Sequence, residues 1–450
     1  MNLFDNFSWR TLLVSTLICI IFYWIHKLRK ANKVPITVIY IICLTCGLFL
    51  GAVFPSTDLI LLNLISDIYL KVIKLCIAPL VLVSLIWTFI QIGDLGKVYK
   101  ITTKSIFWLI AGSLVVLIIT GVVGLSIPIG IHSGSLFDNW KNVEQNFIQT
   151  DLYSIILNIF PENILGAIHE NNIINLIIIS LMISIAFISV EKSLPQKANL
   201  FMDMIEVTRS IIFKILSFIV SLTPYVIITI SATNLRNIIS NDDVTIDLIN
   251  LVILMYLLFI ITSFGINMIT LKFRCKVNPF KFYKKLLPAI FMAEATQSSI
   301  TTLPLTIKIM KKRLGVRSDI AEFTPTLGTN IGMPAATVIW PTLLVIFYIN
   351  AMGINWGISQ YILFLFMIIT SSVVCVGVPS AAIVISMTLF SALGLPPEVV
   401  MIFLPINVIT DIGRTVNNML HAATATMIVA KDNDAIDLEI YNSKEDQPLD

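Results

Sequence analysis

The stretch Asp411-Ile-Gly-Arg414-Thr415-Val-Asn-Asn418 places two opposite charges and two hydrogen-bonding side chains within an apolar segment that covers residues 399–430. At a helical period of 3.6 residues, these four polar side chains share one face. Charged side chains inside a membrane span are costly and normally point into the protein, toward a partner, a ligand or an ion. The stretch therefore predicts a buried binding site.

Composition indicates the environment in which this site lies. Of the 450 residues, 57% are hydrophobic and only 13% are charged, whereas about a quarter of the residues in soluble domains are charged. The chain is therefore predicted to be a polytopic membrane protein in the lipid bilayer. The net charge of +3 gives no indication of nucleic acid as a partner. The six cysteines include a single Cys-x-x-Cys pair, with no second pair that could complete a metal site, and they are interpreted as free thiols with no metal site.

Apolar segments of about 20 residues, the length that a bilayer demands, recur along the chain. We identify them at 10–26, 36–54, 63–92, 104–131, 150–190 (broken), 205–232, 246–271, 318–350 and 397–430. Two shorter hydrophobic segments, 284–309 and 358–395, are interrupted by small and polar residues. The first span is interpreted as an anchor rather than a cleaved signal peptide, because basic residues follow it and no positive region precedes it.

Charge asymmetry between the loops predicts the orientation of the chain. Lysine and arginine cluster after the first span and on both sides of 284–309, so these loops are predicted to be cytoplasmic by the positive-inside rule. Segment 284–309 is therefore expected to enter and leave from the cytoplasm as a re-entrant hairpin. Segment 358–395 lies between two outward ends and is expected to be its mirror image. The C-terminus is predicted to be cytoplasmic, with the protein in the cell membrane.

Two hairpins of opposite entry, each followed by a span, are typical of an inverted repeat whose broken helices meet at the membrane midplane. The first tip reads Thr296-Gln-Ser298-Ser299-Ile-Thr-Thr-Leu-Pro304, and the second contains Gly377-Val-Pro-Ser. Irregular backbone at membrane depth survives only where protein or water covers it, so both tips are expected to line a site. The alternative is that these hydroxyl residues only satisfy helix ends or allow close helix packing.

From about Pro35 to Lys431 the chain resembles the dicarboxylate/amino acid:cation symporter family, which includes the glutamate transporters. The resemblance is carried, in order, by the serine-rich tip at 298–304, by Gly377-Val-Pro379, by Gly394-Leu-Pro396, and by the Asp411-to-Asn418 stretch. An extra amino-terminal span and the phrase Asp-Ile-Gly-Arg-Thr make the chain look most like the L-cystine symporter branch of this family.

The resemblance implies a fold and a mechanism. It implies an all-α polytopic membrane protein with the glutamate-transporter-like inverted-repeat fold, two re-entrant helical hairpins and one extra N-terminal span. It further implies a homotrimer that works by an elevator-type alternating-access mechanism. The expected divisions are an anchor at 1–34, scaffold and trimerisation spans mainly at 35–271, a substrate-binding transport core at 272–430, and an acidic, solvated cytoplasmic tail at 431–450.

The resemblance also assigns substrate contacts. Asp411 is expected to bind the α-ammonium of an amino acid, and Arg414 a distal acidic group. The substrate's α-carboxylate is expected at Thr415 and Asn418. The hairpin tips are expected to contact substrate at Ser298, Ser299 and Val378. The expected substrate is an amino acid or dicarboxylate, and the resemblance favours L-cystine or an acidic amino acid.

The chain departs from the family pattern at the positions that bind cations. The family's Asn-Met-Asp-Gly-Thr signature is replaced here by residues 332–336, Gly-Met-Pro-Ala-Ala, and its final-span carboxylate by Ala422. The aromatic and hydroxyl ligands of the third family span are replaced by Trp108, Ala111 and Gly112. Hard cations need oxygen ligands, so we expect two of the family's sodium sites to be absent.

The coupling cation is therefore expected to be either sodium or a proton, with no further cofactor. His421, Glu294 and Asn407 are candidates for ion coupling. His421 follows Arg414 by seven residues on nearly the same helical face, and Glu294 lies within the first hairpin. The alternatives are that His421 only bonds a neighbouring helix and that Glu294 faces water.

An enzyme is not expected, because neither the Gly-x-Ser-x-Gly motif nor the His-Glu-x-x-His motif is present. The remaining alternative to a secondary active symporter is a transport-inactive family member that acts as a substrate sensor or scaffold.

Overall fold

The computed structural model describes residues 9–31, 36–54, 60–93, 99–140, 160–169, 173–239, 242–374 and 381–443. These residues form helices joined by short connections, and none of them belongs to a β-strand. An isolated antiparallel bridge joins Val316 to Ile436. The prediction of an all-α protein is confirmed for the described part of the chain.

The amino-terminal half begins with the extra helix that the sequence predicts. Its helices are α1 (Trp9–Ala31), α2 (Ile36–Val53), α3 (Ile60–Gly93), α4 (Tyr99–Ser126), α5 (Ile164–His169), α6 (Ile173–Ser193), α7 (Pro195–Ser221) and α8 (Thr223–Ile239). The predicted span 205–232 is divided between α7 and α8. Pro224 lies in the first turn of α8, where its missing N–H and fixed φ favour the start of a new helix.

The carboxyl-terminal half contains more interruptions. Its helices are α9 (Asp242–Ile260), a π turn (Ile261–Ile266), α10 (Asn267–Phe273), α11 (Pro279–Thr296), α12 (Ser299–Lys312), α13 (Ser318–Gly328), a second π turn (Ala335–Ile339), α14 (Trp340–Ala351), α15 (Ile358–Val374), α16 (Ala381–Ala392), a 3-10 turn (Pro397–Phe403), α17 (Leu404–Lys431) and α18 (Leu438–Asn442).

The lengths and apolar character of these helices suit a membrane. Among the described residues, three helical stretches are long and apolar enough to cross a bilayer: Ile101–Ser126, Asp242–Phe273 and Pro397–Lys431. Shorter apolar helices accompany them, including Ala335–Ala351 and Ile358–Thr370. Interrupted apolar helices are tolerated at membrane depth where surrounding protein satisfies the freed backbone groups.

The predicted span 318–350 is broken in its middle, between α13 and α14. Gly332 adopts a φ of +68°, a left-handed conformation that favours glycine. Pro334 follows it and cannot supply a backbone N–H. The backbone N–H of Gly332 donates to the carbonyl of Ser372 in α15 at 2.8 Å, which satisfies one of the groups freed by the break.

The α11–α12 pair forms the first interrupted segment. Gln297 ends α11 in the left-handed region with φ +49°, and Ser298 caps the start of α12. The two helices pack against each other. The second pair, α15 and α16, is joined through 375–380, so its predicted tip lies outside the described residues. Re-entry of either pair from one membrane face stays a prediction.

The two halves of the chain pack differently. Helices α2 and α8 lie backbone to backbone, since a Cβ added to Gly47 would lie 2.6 Å from the carbonyl oxygen of Ile228. In the carboxyl-terminal half, α17 contacts α4, α11 and α13 and has buried polar residues along much of its length. This helix positions the candidate site.

The start of the acidic tail is packed, in contrast to the solvated end that we expected. Tyr441 in α18 is 1% exposed, and its hydroxyl donates to the carbonyl of Asn278 at 2.8 Å. The ammonium of Lys285 in α11 donates to the carbonyls of Arg313 and Ile440, at 2.8 and 2.9 Å. Helix α18 therefore packs against the end of the α11–α12 pair that lies opposite its tip.

Candidate functional site

The centre of the predicted polar stripe is a buried ion pair on α17. The Nη2 and Nε atoms of Arg414 donate to Oδ1 of Asp411 at 2.6 and 3.1 Å. The Arg414 and Asp411 side chains are only 2% and 8% exposed. An ion pair of this kind persists because each charge would be expensive to bury alone. The two charges predicted to bind opposite ends of a substrate are thus bound to each other here.

Further contacts hold the guanidinium of Arg414 in place. Its Nη2 also donates to Oδ1 of Asn407, one turn before Asp411, at 2.7 Å. The face of the guanidinium lies 4.9 Å from the centre of the Trp340 ring, within the range of a cation–π contact. Its remaining terminal nitrogen, Nη1, is buried and has no hydrogen-bond partner among the described residues. One edge of the guanidinium is therefore free to receive an anionic group.

Asn418 connects α17 to the break between α13 and α14. Its Oδ1 accepts from the backbone N–H of Ala335 at 2.9 Å. Because that partner is a donor, the amide oxygen must face it, and the Nδ2 donors of Asn418 face elsewhere. Thr415 lies beside it and donates to the Asp411 carbonyl at 2.9 Å.

The first hairpin tip reaches this stripe. Ser298 caps α12 by accepting from the backbone N–H of Thr301 at 3.3 Å. Ser299 and Asn418 line the same small cavity, of about 10 Å³, between α12, α13 and α17. Ser298 and Ser299 are 7% and 8% exposed. The structure therefore brings the tip and the α17 stripe together. Val378 lies outside the described residues.

The candidates for ion coupling are separated in space. Asn407 accepts from Arg414, and we call Asn407, Asp411 and Arg414 together the Arg414 cluster. His421 lies farther along α17, where its Nε2 donates to the carbonyl of Leu109 in α4 at 3.1 Å. Glu294 lies on an exposed position of α11, and no described hydrogen bond joins it to the other two.

Packing is close at the positions where we expected the family's cation ligands to be missing. Ala422 lies directly on Gly328, and a Cβ added to that glycine would be 2.5 Å from the Ala422 Cβ. The imidazole of His421 covers Gly112 in the same way, with its Cε1 against the place of a side chain. A longer side chain at position 422 would meet α13, so the small residues on these helices are complementary in shape.

A larger cavity of about 130 Å³ lies between α4, the first π turn with α10, and α17. We name it the His421 cavity. Its lining residues are Trp108, Ala111, Gly112, Val115, Val116, Thr262, Ile266, Asn267, Thr270, Pro334, Asn417, His421, Thr424, Ala425 and Ile428. The Arg414 cluster is not part of its lining.

Two residues of the candidate site were missed by the sequence analysis. Trp340 stacks on Arg414, but an aromatic residue in an apolar helix gives no signal of such a contact. Asn417 donates through Nδ2 to the Oγ atoms of Thr262 and Ser263, at 2.6 and 2.7 Å. The signal for this contact is Asn417 itself, because an amide side chain in an apolar helix needs hydrogen-bond partners on a neighbouring helix.

A buried ion pair on a long apolar helix, next to a helical hairpin tip, defines the chain as a multi-pass membrane protein with a polar internal site, the class to which secondary transporters belong. The sodium:dicarboxylate symporter family model matches residues 36–432. The chain belongs to this family.

Individual relatives are similar along nearly the whole chain. The L-cystine uptake protein TcyP of Bacillus thuringiensis is 26% identical, over 95% of this chain and 94% of that protein. An uncharacterized symporter of Haemophilus influenzae is 29% identical, over 89% of this chain and 94% of that protein. The TcyP of Shouchella clausii is 24% identical, over 86% and 84% of the two chains.

Family membership establishes the general activity. The chain is a secondary transporter, not an enzyme, and it moves a small-molecule substrate together with a coupling cation. The predicted family resemblance is confirmed.

Proposed function

We propose that this protein is a secondary active symporter for an amino acid with a second carboxylate, either L-cystine or an acidic amino acid. The observation that carries the proposal is the buried pair of Asp411 and Arg414, which offers one group for an ammonium and one for a carboxylate. Two relatives are L-cystine uptake proteins, which supports the same substrate class.

The ion pair gives a physical reason for this selectivity. A ligand that separates Asp411 from Arg414 must supply a new partner to each, because an unpaired charge would be costly at this depth. An amino acid with a distal carboxylate does so: its ammonium binds Asp411 and its distal carboxylate binds the Arg414 guanidinium. The unpartnered Nη1 of Arg414 is the first donor available to that carboxylate.

The substrate's α-carboxylate is proposed to bind Thr415 and the free Nδ2 donors of Asn418. Both residues lie one turn or less from the ion pair on the same helix face, and the Asn418 amide is oriented by Ala335. Ser298 and Ser299 of the first tip, together with Val378 of the second, are proposed to cover the bound substrate.

The proposed mechanism is elevator-type alternating access. Residues 272–430 would move as the substrate-carrying core against a scaffold formed mainly by 35–271, with 1–34 as an anchor and the chain assembled as a homotrimer in the cell membrane. The close glycine-mediated packing of α2 on α8 suits a rigid scaffold. The tail at 431–450 is proposed to be cytoplasmic.

The coupling cation is proposed to be a proton rather than several sodium ions. The side-chain oxygens that the family uses are replaced by Ala422 and by the Gly332-to-Ala336 segment, and the space at Ala422 is filled by Gly328. Hard cations bind weakly where oxygen ligands are removed. A sodium site built only from backbone carbonyls remains the alternative.

Uptake into proteoliposomes tests the whole proposal. Purified full-length protein is reconstituted and offered radiolabelled cystine, aspartate, glutamate, succinate and serine, each with an imposed sodium or proton gradient. We expect accumulation of cystine or an acidic amino acid, driven by acid outside and only weakly by sodium. Uptake of none of the five under either gradient would favour a substrate sensor or scaffold instead.

A further inference from the structure

The His421 cavity contains buried polar atoms that the protein leaves unsatisfied. Among the described residues, Oδ1 of Asn417 and Oγ1 of Thr424 are buried without a hydrogen-bond partner, and both residues line the cavity. An unsatisfied buried polar atom costs about 1–3 kcal/mol. Two of them on residues that line one cavity point to an occupant that can hydrogen-bond to an amide oxygen and to a hydroxyl.

The orientation of the Asn417 amide is fixed by its neighbours. Its Nδ2 contacts the backbone carbonyl of Phe259 at 3.2 Å, and a carbonyl oxygen can only accept. The same nitrogen is within 2.6 Å of the Thr262 hydroxyl. Exchanging the amide atoms would place two oxygens against each other. The group left without a partner is therefore the amide oxygen, an acceptor.

The same reasoning assigns the hydrogens of His421. Its Nε2 faces the carbonyl of Leu109, so Nε2 must carry a hydrogen. In the neutral ring Nδ1 is then an acceptor, and it has no hydrogen-bond partner among the described residues. Asn417, His421 and Thr424 follow one another by about one helical turn each, so the three acceptors form a row along α17.

The spacing of this row decides what it can hold. At about 1.5 Å of rise per residue, Asn417 and Thr424 are roughly 10 Å apart along the helix axis, too far for one ion to bind both. A water molecule needs only about 10–15 Å³. The cavity volume of about 130 Å³ therefore accommodates several water molecules. A row of waters along the cavity passes the side chains of Asn417, His421 and Thr424 in turn.

We propose that the His421 cavity holds a row of waters through which the Nδ1 atom of His421 gains and loses a proton. This inference rests on the proposed proton coupling and specifies where the proton is carried. A proton delivered by a cavity water adds to the Nδ1 lone pair and gives an imidazolium that donates from both nitrogens. It leaves by the reverse transfer to the same water.

The charges around the cavity are compatible with a proton there. Among the described lining residues, His421 is the one with a side chain that can gain or lose a proton. The charged groups on the elements that pack around it are the Asp411–Arg414 pair, which is mutually neutralised, and a group at the helix ends. At the centre of that group, the Asp432 carboxylate accepts from Arg274 and from Nε1 of Trp108. Lys104 donates to the Asp432 carbonyl. The neighbouring Lys431 and Lys272 complete the group.

The cavity extends toward these helix ends. Thr270 and Ile428 line it about one turn before α10 ends at Phe273 and α17 ends at Lys431. Trp108 lines the cavity and at the same time bonds Asp432 at 3.1 Å. Protons are therefore proposed to leave past Trp108, toward the side on which the basic loops lie, and not through the Asp411–Arg414 site.

The test is a titration of His421 itself, which needs no transport. Full-length protein with ¹⁵N-labelled histidine is placed in lipid nanodiscs, and the His421 signals are assigned by their loss in His421→Gln. We expect a reversible change of the Nδ1 shift with pH in the folded protein. Thr424→Val removes one acceptor of the row at constant shape and should lower the proton affinity of His421 about three- to tenfold.

The matched control is Thr426→Val, two residues farther on the same helix. Thr426 is fully buried, does not line the cavity, and donates only to the Ala422 carbonyl, at 2.8 Å. This variant should leave the His421 titration unchanged. A second variant, Ala425→Leu, fills the cavity without removing a polar group and should slow or abolish the titration.

A His421 ring that keeps the same protonation from pH 4 to pH 9 would overturn the proposal. Equal effects of Thr424→Val and Thr426→Val would also overturn it, because the cavity would then have no special role. These outcomes are separate from the uptake assay. A failed uptake assay with a normal His421 titration would reject the proposed transport function and leave the proton site standing.

Discussion

The two halves of α17 differ in how far their buried polar groups are hydrogen-bonded. In the first half, Asp411, Arg414 and Asn407 satisfy one another, and only the Nη1 of Arg414 is left over. In the second half, Asn417 and Thr424 leave oxygen acceptors unpaired beside His421, with a cavity in front of them. The first part of the helix holds a charged pair in little space, whereas the part from Asn417 to Thr424 has no Asp, Glu, Lys or Arg and lies beside a cavity.

This difference separates two kinds of ligand. A ligand for the first half must replace contacts that already exist, so only one that supplies partners for both charges can compete. An occupant of the second half displaces no protein contact and need only satisfy acceptors, as water or a proton does. The substrate site and the site for the coupling ion are thus proposed to lie on successive turns of one helix.

The largest expected effect comes from Asp411→Asn. This change removes the proposed ammonium partner and leaves the guanidinium of Arg414 buried with a neutral neighbour. We expect amino acid binding to be abolished and the protein to lose on the order of 3–5 kcal/mol of stability. Binding measured by calorimetry and thermal unfolding in detergent check the two parts.

A double variant, Asp411→Asn with Arg414→Gln, provides the control for Asp411→Asn. With both charges removed, stability should largely return while binding stays absent. Undiminished amino acid binding in the single variant would remove the ammonium contact and favour a pure dicarboxylate such as succinate as substrate.

Arg414→Cys is expected to change selectivity. A charge-assisted pair in a dry site contributes a few kcal/mol, so uptake of cystine or a dicarboxylate should fall more than tenfold. Uptake of a small neutral amino acid such as serine should be spared or improved, since Asp411 is then free to bind its ammonium. Competition assays with both substrate classes measure the ratio. An equal loss for both, with normal assembly, would make Arg414 structural.

His421→Ala tests the second half of the helix. If His421 carries the coupling proton, its removal should weaken accumulation driven by acid outside while leaving exchange of substrate across the membrane largely intact. Uptake against a pH gradient, compared with exchange in the absence of any gradient, separates the two. Steep multi-ion sodium dependence at constant pH, unchanged in the variant, would assign coupling to carbonyl-built sodium sites.

The sequence predicts the first half of α17 well for a simple physical reason. Opposite charges in an apolar helix are rare enough that Asp411 and Arg414 identify a buried polar site without any coordinates. Asn407 follows from the same helical period. The mutual pairing of the two charges could not be predicted, because a sequence does not say whether a charge is satisfied by the protein or by a ligand.

The second half is harder to predict. Asn417, His421 and Thr424 are each compatible with ordinary helix packing, and only their hydrogen-bond partners show which atoms are left over. The break within the predicted span 318–350 has a local cause in Gly332 and Pro334. However, glycine and proline also occur within continuous membrane helices, so their presence alone does not predict a break. The Trp340 contact depends on how α14 packs on α17, which no local pattern encodes.

The smallest expected effect concerns Trp340, whose ring lies under the Arg414 guanidinium and is fully buried. Since its Nε1 has no partner among the described residues, Trp340→Phe loses no hydrogen bond and keeps an aromatic face with a weaker cation–π attraction. We expect about two- to fivefold weaker binding of the acidic substrate, measured by calorimetry, and an unchanged affinity for serine. Because Trp340 does not line the His421 cavity, the His421 titration should also be unchanged. A shift of that titration in Trp340→Phe would show that the two halves of α17 are coupled, and that the separation of substrate and proton along this helix is not maintained.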